Sequence, residues 1–186
     1  MNDPEIRASL INNYFQKFKS ENCLLLEELA VIHGSSIADI VLISKIFNQA
    51  FEIKSAQDTL SRLEKQINDY TQVFDYVTVI TQASHLDDVE RLIPAFVGIF
   101  IIYDDESFEY VRKPSASPFI KKQQLIKLLW KDEIYKFLRS KGYSKISQLK
   151  ISKLEKMCCE NFSLKEIKEL LFDSFKNRKD WKKRMV

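Results

Sequence analysis

The sequence predicts an α/β protein, a mixed sheet flanked by helices, followed by a smaller all-helical region. Three observations carry that expectation. From Met1 to Arg112, short apolar and β-branched runs alternate with segments of helical periodicity. Lys113-Pro114-Ser115-Ala116-Ser117-Pro118 then interrupts the pattern with the composition of a linker. Beyond it, all apolar spacing is helical. The expected organisation is a core over 1–113, a linker at 114–118 and a helical region over 119–186.

Asp3-Pro4 reads as a helix start, with Asp3 as N-cap and Pro4 at the first helical position. Ile6, Leu10, Ile11, Tyr14, Phe15 and Phe18 continue it at helical spacing to about Lys19. Cys23 to Val31 predicts a strand ending at the turn His33-Gly34-Ser35-Ser36. Two more strands follow, 37–43 and 46–54, joined as a hairpin at Ser44-Lys45. A helix from about Thr59 to Phe74 is next, with Ser61 and Glu64 as a capping box. Tyr76 to Ile80 is a β-branched strand. Ser84 caps a short helix, His85 to Leu92, that stops before Pro94. Strands at Phe96–Tyr103 and Ser107–Val111 flank the acidic turn Asp104-Asp105-Glu106. In the last region, Ser117-Pro118 opens a helix that runs through Trp130, Gly142 ends a second, and Ser163 and Glu166 form a capping box for a third. The overall order is helix, three strands, helix, strand, helix, strand.

Composition narrows the function classes. Apolar residues make up 45%, enough for a packed core. No apolar run approaches the ~20 residues of a membrane span, and MNDPEIRASL lacks the apolar segment of a secretion signal, so the expected location is cytoplasmic. Cys23, Cys158 and Cys159 offer neither a disulfide framework nor zinc-ligand spacing and read as free thiols. With Gly34, Gly98 and Gly142 as the only glycines, neither a phosphate loop nor a dinucleotide fingerprint can be built. His33 and His85, far apart in the chain, do not suggest a histidine site. Net charge is +3, but residues 1–117 hold 10 Lys/Arg against 18 Asp/Glu, whereas residues 118–186 hold 19 against 8. The basic region, with Trp130, Tyr135, Tyr143 and Trp181 interleaved, suits contact with a phosphate backbone and stacking on bases; packing of its apolar stripes on the acidic part or on a partner is the alternative.

Charge in the wrong place marks the candidate site. Asp39 opens the apolar run Ile40-Val41-Leu42-Ile43, while Glu52 and Lys54 interrupt Ala50-Phe51-Glu52-Ile53-Lys54. Residues two apart in a strand share a face, so Glu52 and Lys54 stand side by side, and the hairpin brings Asp39 across from them. Two carboxylates beside a lysine suit a hard divalent cation. The lysine would orient or deprotonate a metal-bound water, or neutralise a phosphate. A structural ion pair on an exposed sheet edge is the competing explanation, and desolvation weighs against it. Glu28, on the first strand, has equal claims to approach Asp39 or to face outward.

The pattern Asp39-x12-Glu52-Ile53-Lys54, on successive strands after a helix and before another, resembles the PD-(D/E)XK nuclease superfamily. Ala38 stands where that motif has proline. Gln66 and Tyr70 on the next helix are similar to the QxxxY element of the RecB-like and phage-exonuclease-like branch. Glu5-Ile6-Arg7, Glu28-Leu29, His33-Gly34 and Leu128-Leu129-Trp130-Lys131-Asp132-Glu133 further resemble short, largely uncharacterised bacterial proteins near the MmcB DNA-repair endonucleases. The resemblance implies a restriction-endonuclease-like αβββαβ core and a Mg²⁺- or Mn²⁺-dependent deoxyribonuclease, in DNA repair or in phage and mobile-element defence. It implies Asp39, Glu52 and the Ile53 carbonyl as metal ligands, with Glu5 as an extra one, Lys54 at the attacking water, and Gln66 and Tyr70 supporting the site. DNA would be held through the basic C-terminal helices. Non-catalytic binding of nucleic acid or protein, or activity only as a subunit of a complex, are the rival expectations, and a homodimer or protein partner stays open.

Overall fold

The computed structural model describes residues 1–179 and 183–185. The first helix, α1 (Asp3–Ser9), is capped by Asn2 rather than Asp3. Glu5 N donates to Asn2 Oδ1 at 3.0 Å and Asn2 N donates to Glu5 Oε2 at 2.9 Å, closing a capping box one residue earlier than expected. The helical path continues with a wider π turn over Leu10–Tyr14 and a tighter 3-10 turn over Phe15–Glu21, so the segment to Lys19 is helical but not uniformly α.

Three antiparallel strands follow, β1 (Leu24–Val31), β2 (Ser36–Ile43) and β3 (Asn48–Lys54). Helix α2 (Leu63–Thr71) starts later than the sequence suggests: Arg62 occupies its cap position and no side chain caps it. The preceding loop is held instead by Asp58, whose Oδ2 accepts from Ser55 N at 2.8 Å and Ser55 Oγ at 2.7 Å. Strand β4 (Tyr76–Thr81) runs parallel to β3, and β5 (Gly98–Ile102) parallel to β4, with α3 (Leu86–Leu92) between them. Ser84 lies in a 3-10 turn and makes no cap. Strand β6 (Phe108–Arg112) closes that edge antiparallel to β5. The helical region comprises α4 (Lys122–Ile126), α5 (Lys131–Ser140), α6 (Ile151–Asn161) and α7 (Leu164–Asn177). A short strand, β7 (Lys183–Met185), then pairs antiparallel with β1, an element the helical spacing of the tail concealed. The sheet order is β6-β5-β4-β3-β2-β1-β7.

The layers follow from which side of the sheet each apolar set faces. Ile6, Leu10 and Phe15 pack on Leu25, Ile40, Phe51, Ile53 and Phe100. On the other face, Val41, Ile67 and Val79 share one continuous cluster with Leu125, Ile134, Leu154, Ile167 and Leu171 of the helical region. That region is therefore built onto the sheet's own core. The expected helix from Ser117 to Trp130 shortens to α4 because Ser117 serves the junction. Its N–H donates to Asp75 O at 2.7 Å and its Oγ to Thr71 O at 2.6 Å. Pro114 lies so close to β5 that a Cβ at Gly98 would meet its Cδ at 2.8 Å. No helix of the described residues is long and apolar enough to cross a membrane.

Candidate functional site

The site forms where β2 and β3 part. Their pairing ends at Ile40 opposite Phe51. Beyond it, Ser36–Ala38 pair with β1, while Glu52–Lys54 pair with Val79–Thr81 of β4. At the fork, Glu28 stands between the registers Glu27–Ile40 and Leu29–Ala38, opposite Asp39, with φ +56°. This left-handed residue interrupts the alternation of faces along β1, so Leu26 and Leu29, three positions apart, share one core; Ala38 and Val41, three positions apart on β2, lie in that core too. The Asp39 side chain thereby turns into the gap. Its Oδ2 accepts from Ile53 N at 2.8 Å, in place of the lost strand-to-strand bond.

A cleft of about 670 Å³ opens there. Asp39, Glu52, Ile53, Lys54 and Gln66 all line it, as does Glu28. Glu52 is 2% exposed and Lys54 is 7% exposed. Lys54 Nζ donates to Glu52 Oε1 at 2.7 Å, and Gln66 Nε2 donates to the same oxygen at 2.5 Å. The Tyr70 hydroxyl meets Glu52 Oε2 at 2.7 Å. Gln66 and Tyr70, one turn apart, therefore both grip Glu52 from α2. Burial, and next the charge of Asp39, push the Glu52 carboxyl up to about 7. Burial also raises Asp39, although the Ile53 N–H and the Arg7 guanidinium pull the other way.

Arg7 is the site residue that sequence reasoning passed over. Its Nη2 donates to Asp39 Oδ1 at 3.0 Å and its Nη1 to Asp39 O at 2.7 Å, and Asp3 Oδ1 lies 3.3 Å from Nη2. Burial lowers the Arg7 pKa, but Asp39 and Asp3 more than offset it and the net direction is upward. The signals in the chain were its place in Glu5-Ile6-Arg7 and the Asp3–Arg7 spacing of four residues, neither of which points to Asp39. Glu5 is not in the cleft: its carboxylate completes the capping box at the exposed helix start, and Asp3 lines the cleft in its place.

The oxygens present are the kind that Mg²⁺ or Mn²⁺ prefers: two carboxylates, the Ile53 carbonyl, and Gln66 Oε1, which is buried without a hydrogen-bond partner. Among the described residues no group of three or more His, Cys, Asp or Glu side chains is set to hold a metal. A cation here would draw the rest of its coordination from water and a ligand, as Mg²⁺ commonly does.

The basic helices stand elsewhere. Every residue lining the cleft lies between Asp3 and Gln66. The helical region docks at the other end of the sheet, where Lys168 Nζ meets Asp75 Oδ1 at 2.5 Å and Lys45, in the β2–β3 turn, meets Asp173 at 3.3 Å. Ile43, the last residue of β2, is four positions from Asp39, about 13 Å along the strand, and Lys45 lies beyond it. Tyr135 and Tyr143 pack against the core cluster. Trp130 is exposed with the Arg178 guanidinium 4.3 Å from its ring centroid; Trp181 lies outside the described residues.

Comparison with known proteins places the chain in a family. Residues 1–186 match the family model of bacteriophage P4 protein cII. The chain belongs to the phage P4 cII family. This member is 26% identical over 181 residues to Protein cII of Enterobacteria phage P4, spanning 96% of this chain and 68% of that protein. Among solved structures, a protein of unknown function from Silicibacter pomeroyi is similar at TM-score 0.46 and 17% identity, over 83% of the cII-family chain and 93% of its own. A likeness at that level carries no argument about fold or function.

Proposed function

We propose that this cII-family protein is a divalent-metal-dependent nuclease of the PD-(D/E)XK type, hydrolysing phosphodiester bonds, with DNA as substrate. The observation that carries the reading is the convergence of Asp39, Glu52 and Lys54 at the fork between β2 and β3, with Gln66 and Tyr70 fixing Glu52. Asp39, Glu52 and the Ile53 carbonyl would hold Mg²⁺ or Mn²⁺, which would supply Lewis-acid stabilisation of the phosphate and a more acidic water. Lys54 Nζ, anchored on Glu52, would orient the attacking water or pair with the phosphate. Tyr70 and Gln66 keep the Glu52 carboxylate from rotating. Arg7 holds Asp39 at the fork.

A second reading has its own observation. All four carboxylate oxygens of Asp39 and Glu52 already have partners within the chain. A closed network of this kind also suits a non-catalytic module that binds nucleic acid or protein. The deciding experiment incubates purified protein with linear duplex, circular duplex and single-stranded DNA in Mg²⁺ or Mn²⁺, beside Asp39→Ala and Lys54→Ala. Metal-dependent cleavage lost in both variants establishes the nuclease, and cutting of the circle distinguishes endonuclease from exonuclease. No cleavage by the wild type, alone or with cell lysate added, rejects it.

A further inference from the structure

We propose that Arg62 and Ile37 form a nucleotide subsite beside the candidate metal ligands. Arg62 holds a phosphate of the strand, and Ile37 supports the adjoining sugar or base. The identity of the ligand rests on the nuclease reading; the residues are separate from those that carry it.

The charges of the cleft single out Arg62. The other long cationic or amide donors in the cleft, Lys54, Lys65 and Gln66, are committed, as is Arg7 behind Asp39. Arg7 is bound to Asp39 and Asp3, and Lys54 to Glu52. Lys65 Nζ is bound to Asp69 Oδ2 at 3.1 Å and to Ser35 O at 3.0 Å, and Gln66 Nε2 to Glu52. Arg62 lines the same cleft, is exposed, and has no ion-pair partner among the described residues. It precedes Gln66 by four residues and Tyr70 by eight, so all three lie along one face of α2 and its N-terminal extension. The face that grips Glu52 with its last two members thus offers a guanidinium with its first. A planar guanidinium, always charged, matches the geometry of a phosphate oxygen pair.

Ile37 supplies the apolar half. It is 51% exposed, although it sits on β2 only two residues from Asp39, and it lines the cleft. Its carbonyl accepts from the Tyr70 hydroxyl at 2.6 Å, which fixes its backbone against α2. An isoleucine held rigidly among charged groups gives van der Waals contact to a sugar or base, as apolar wedges do in other nucleic-acid interfaces. A phosphate-binding cation and an apolar support on one cleft fit a nucleotide unit of a strand better than an inorganic anion.

The test measures binding of a fluorescent single-stranded DNA oligonucleotide in EDTA, where metal-dependent turnover is absent, across a salt series. Arg62→Ala should weaken binding about tenfold at low salt and reduce the slope of log K against log salt by about one, with Arg62→Lys restoring the slope. Ile37→Ser should weaken binding about threefold to tenfold and leave the slope unchanged. Inorganic phosphate as competitor should displace the oligonucleotide weakly in the wild type. Wild-type affinity and slope in Arg62→Ala overturn the subsite, even if the wild type cleaves DNA. Lost slope in Arg62→Ala with no cleavage by the wild type rejects the nuclease and keeps the subsite. No oligonucleotide binding by the wild type overturns both.

Discussion

The Tyr70 hydroxyl lies 2.7 Å from Glu52 Oε2 and 2.6 Å from the carbonyl oxygen of Ile37. A phenol has one proton to donate. Both contacts are satisfied together when Glu52 carries a proton: its carboxyl donates to Tyr70, and Tyr70 donates to Ile37. Burial, and next the charge of Asp39, raise Glu52 to about 7, although the bond from the Tyr70 hydroxyl acts the other way. A proton on Glu52 would occupy the oxygens that the proposed cation would take.

That coupling has a sign. Glu52 has an ordinary value of 4.5 and a folded value of about 7. Below the first value both states hold the proton and stability is complete. Between the two, only the folded state holds it, so stability falls as pH rises and the loss is full above the second. The shift corresponds to about 3 kcal/mol, and Asp39, also raised, acts in the same direction. In EDTA, the urea unfolding midpoint should fall between pH 5 and pH 8, and Glu52→Gln should flatten that fall. Millimolar Mg²⁺ or Mn²⁺ should restore the wild type at pH 8 and do little at pH 5, because cation and proton compete for the same oxygens. A midpoint insensitive to metal at pH 8 would count against the metal site.

Removing the phenol separates packing from chemistry. Tyr70→Phe keeps the ring in the core but leaves the Ile37 carbonyl and Glu52 Oε2 without their partner. It should cost about 1–3 kcal/mol of stability by chemical denaturation. It should also weaken Mn²⁺ binding measured calorimetrically, since the glutamate loses one of the contacts that orient it. Gln66→Ala should show the weaker metal binding with a smaller loss of stability, because Gln66 is only partly buried.

Arg7 gives the opposite combination. Arg7→Ala removes two hydrogen bonds from Asp39 and should destabilise the fold by about 1–3 kcal/mol. It also leaves the cleft with one positive charge fewer beside two acids. Mn²⁺ should therefore bind about threefold to tenfold more tightly, provided Asp39 keeps its bond from Ile53 N. Thermal melts and calorimetry read the two effects separately. In a purely structural network the stability loss would appear alone.

Much of the site was legible because strand periodicity and helix spacing are local properties. Asp39, Glu52 and Lys54 announce themselves as charges inside apolar runs, and Gln66 and Tyr70 as a pair one turn apart. The contacts that were not legible span the chain. Arg7 reaches Asp39 across 32 residues, by a path that α1 packing fixes and no short pattern records. Glu5 closes the helix cap on Asn2, one residue earlier than expected, and Asp3 rather than Glu5 lines the cleft. The basic charge of the last region could be counted, but its docking at Asp75, far from Asp39, depends on tertiary packing. The linker composition of 114–118 likewise hid a segment whose serines bond to the core and whose proline lies on Gly98.

That docking makes a further prediction. Leu171 of α7 is buried in the same cluster as Val41, Val79 and Ile67 of the sheet and α2. Leu171→Ala should cost about 2–5 kcal/mol, as a truncation in a packed core does. Because the cluster is continuous, the cost should shift one transition for the whole chain. Tryptophan fluorescence, which reports Trp130 in the helical region together with Trp181, and far-ultraviolet circular dichroism, which reports the sheet as well, should give the same midpoint. Lys168→Ala should act in the same sense and more weakly, because it breaks the ion pair with Asp75 while leaving the apolar contact intact. Two separated transitions in either variant would mean that the helices form an independent unit, and a basic surface able to move relative to the cleft would then be available to a bound strand.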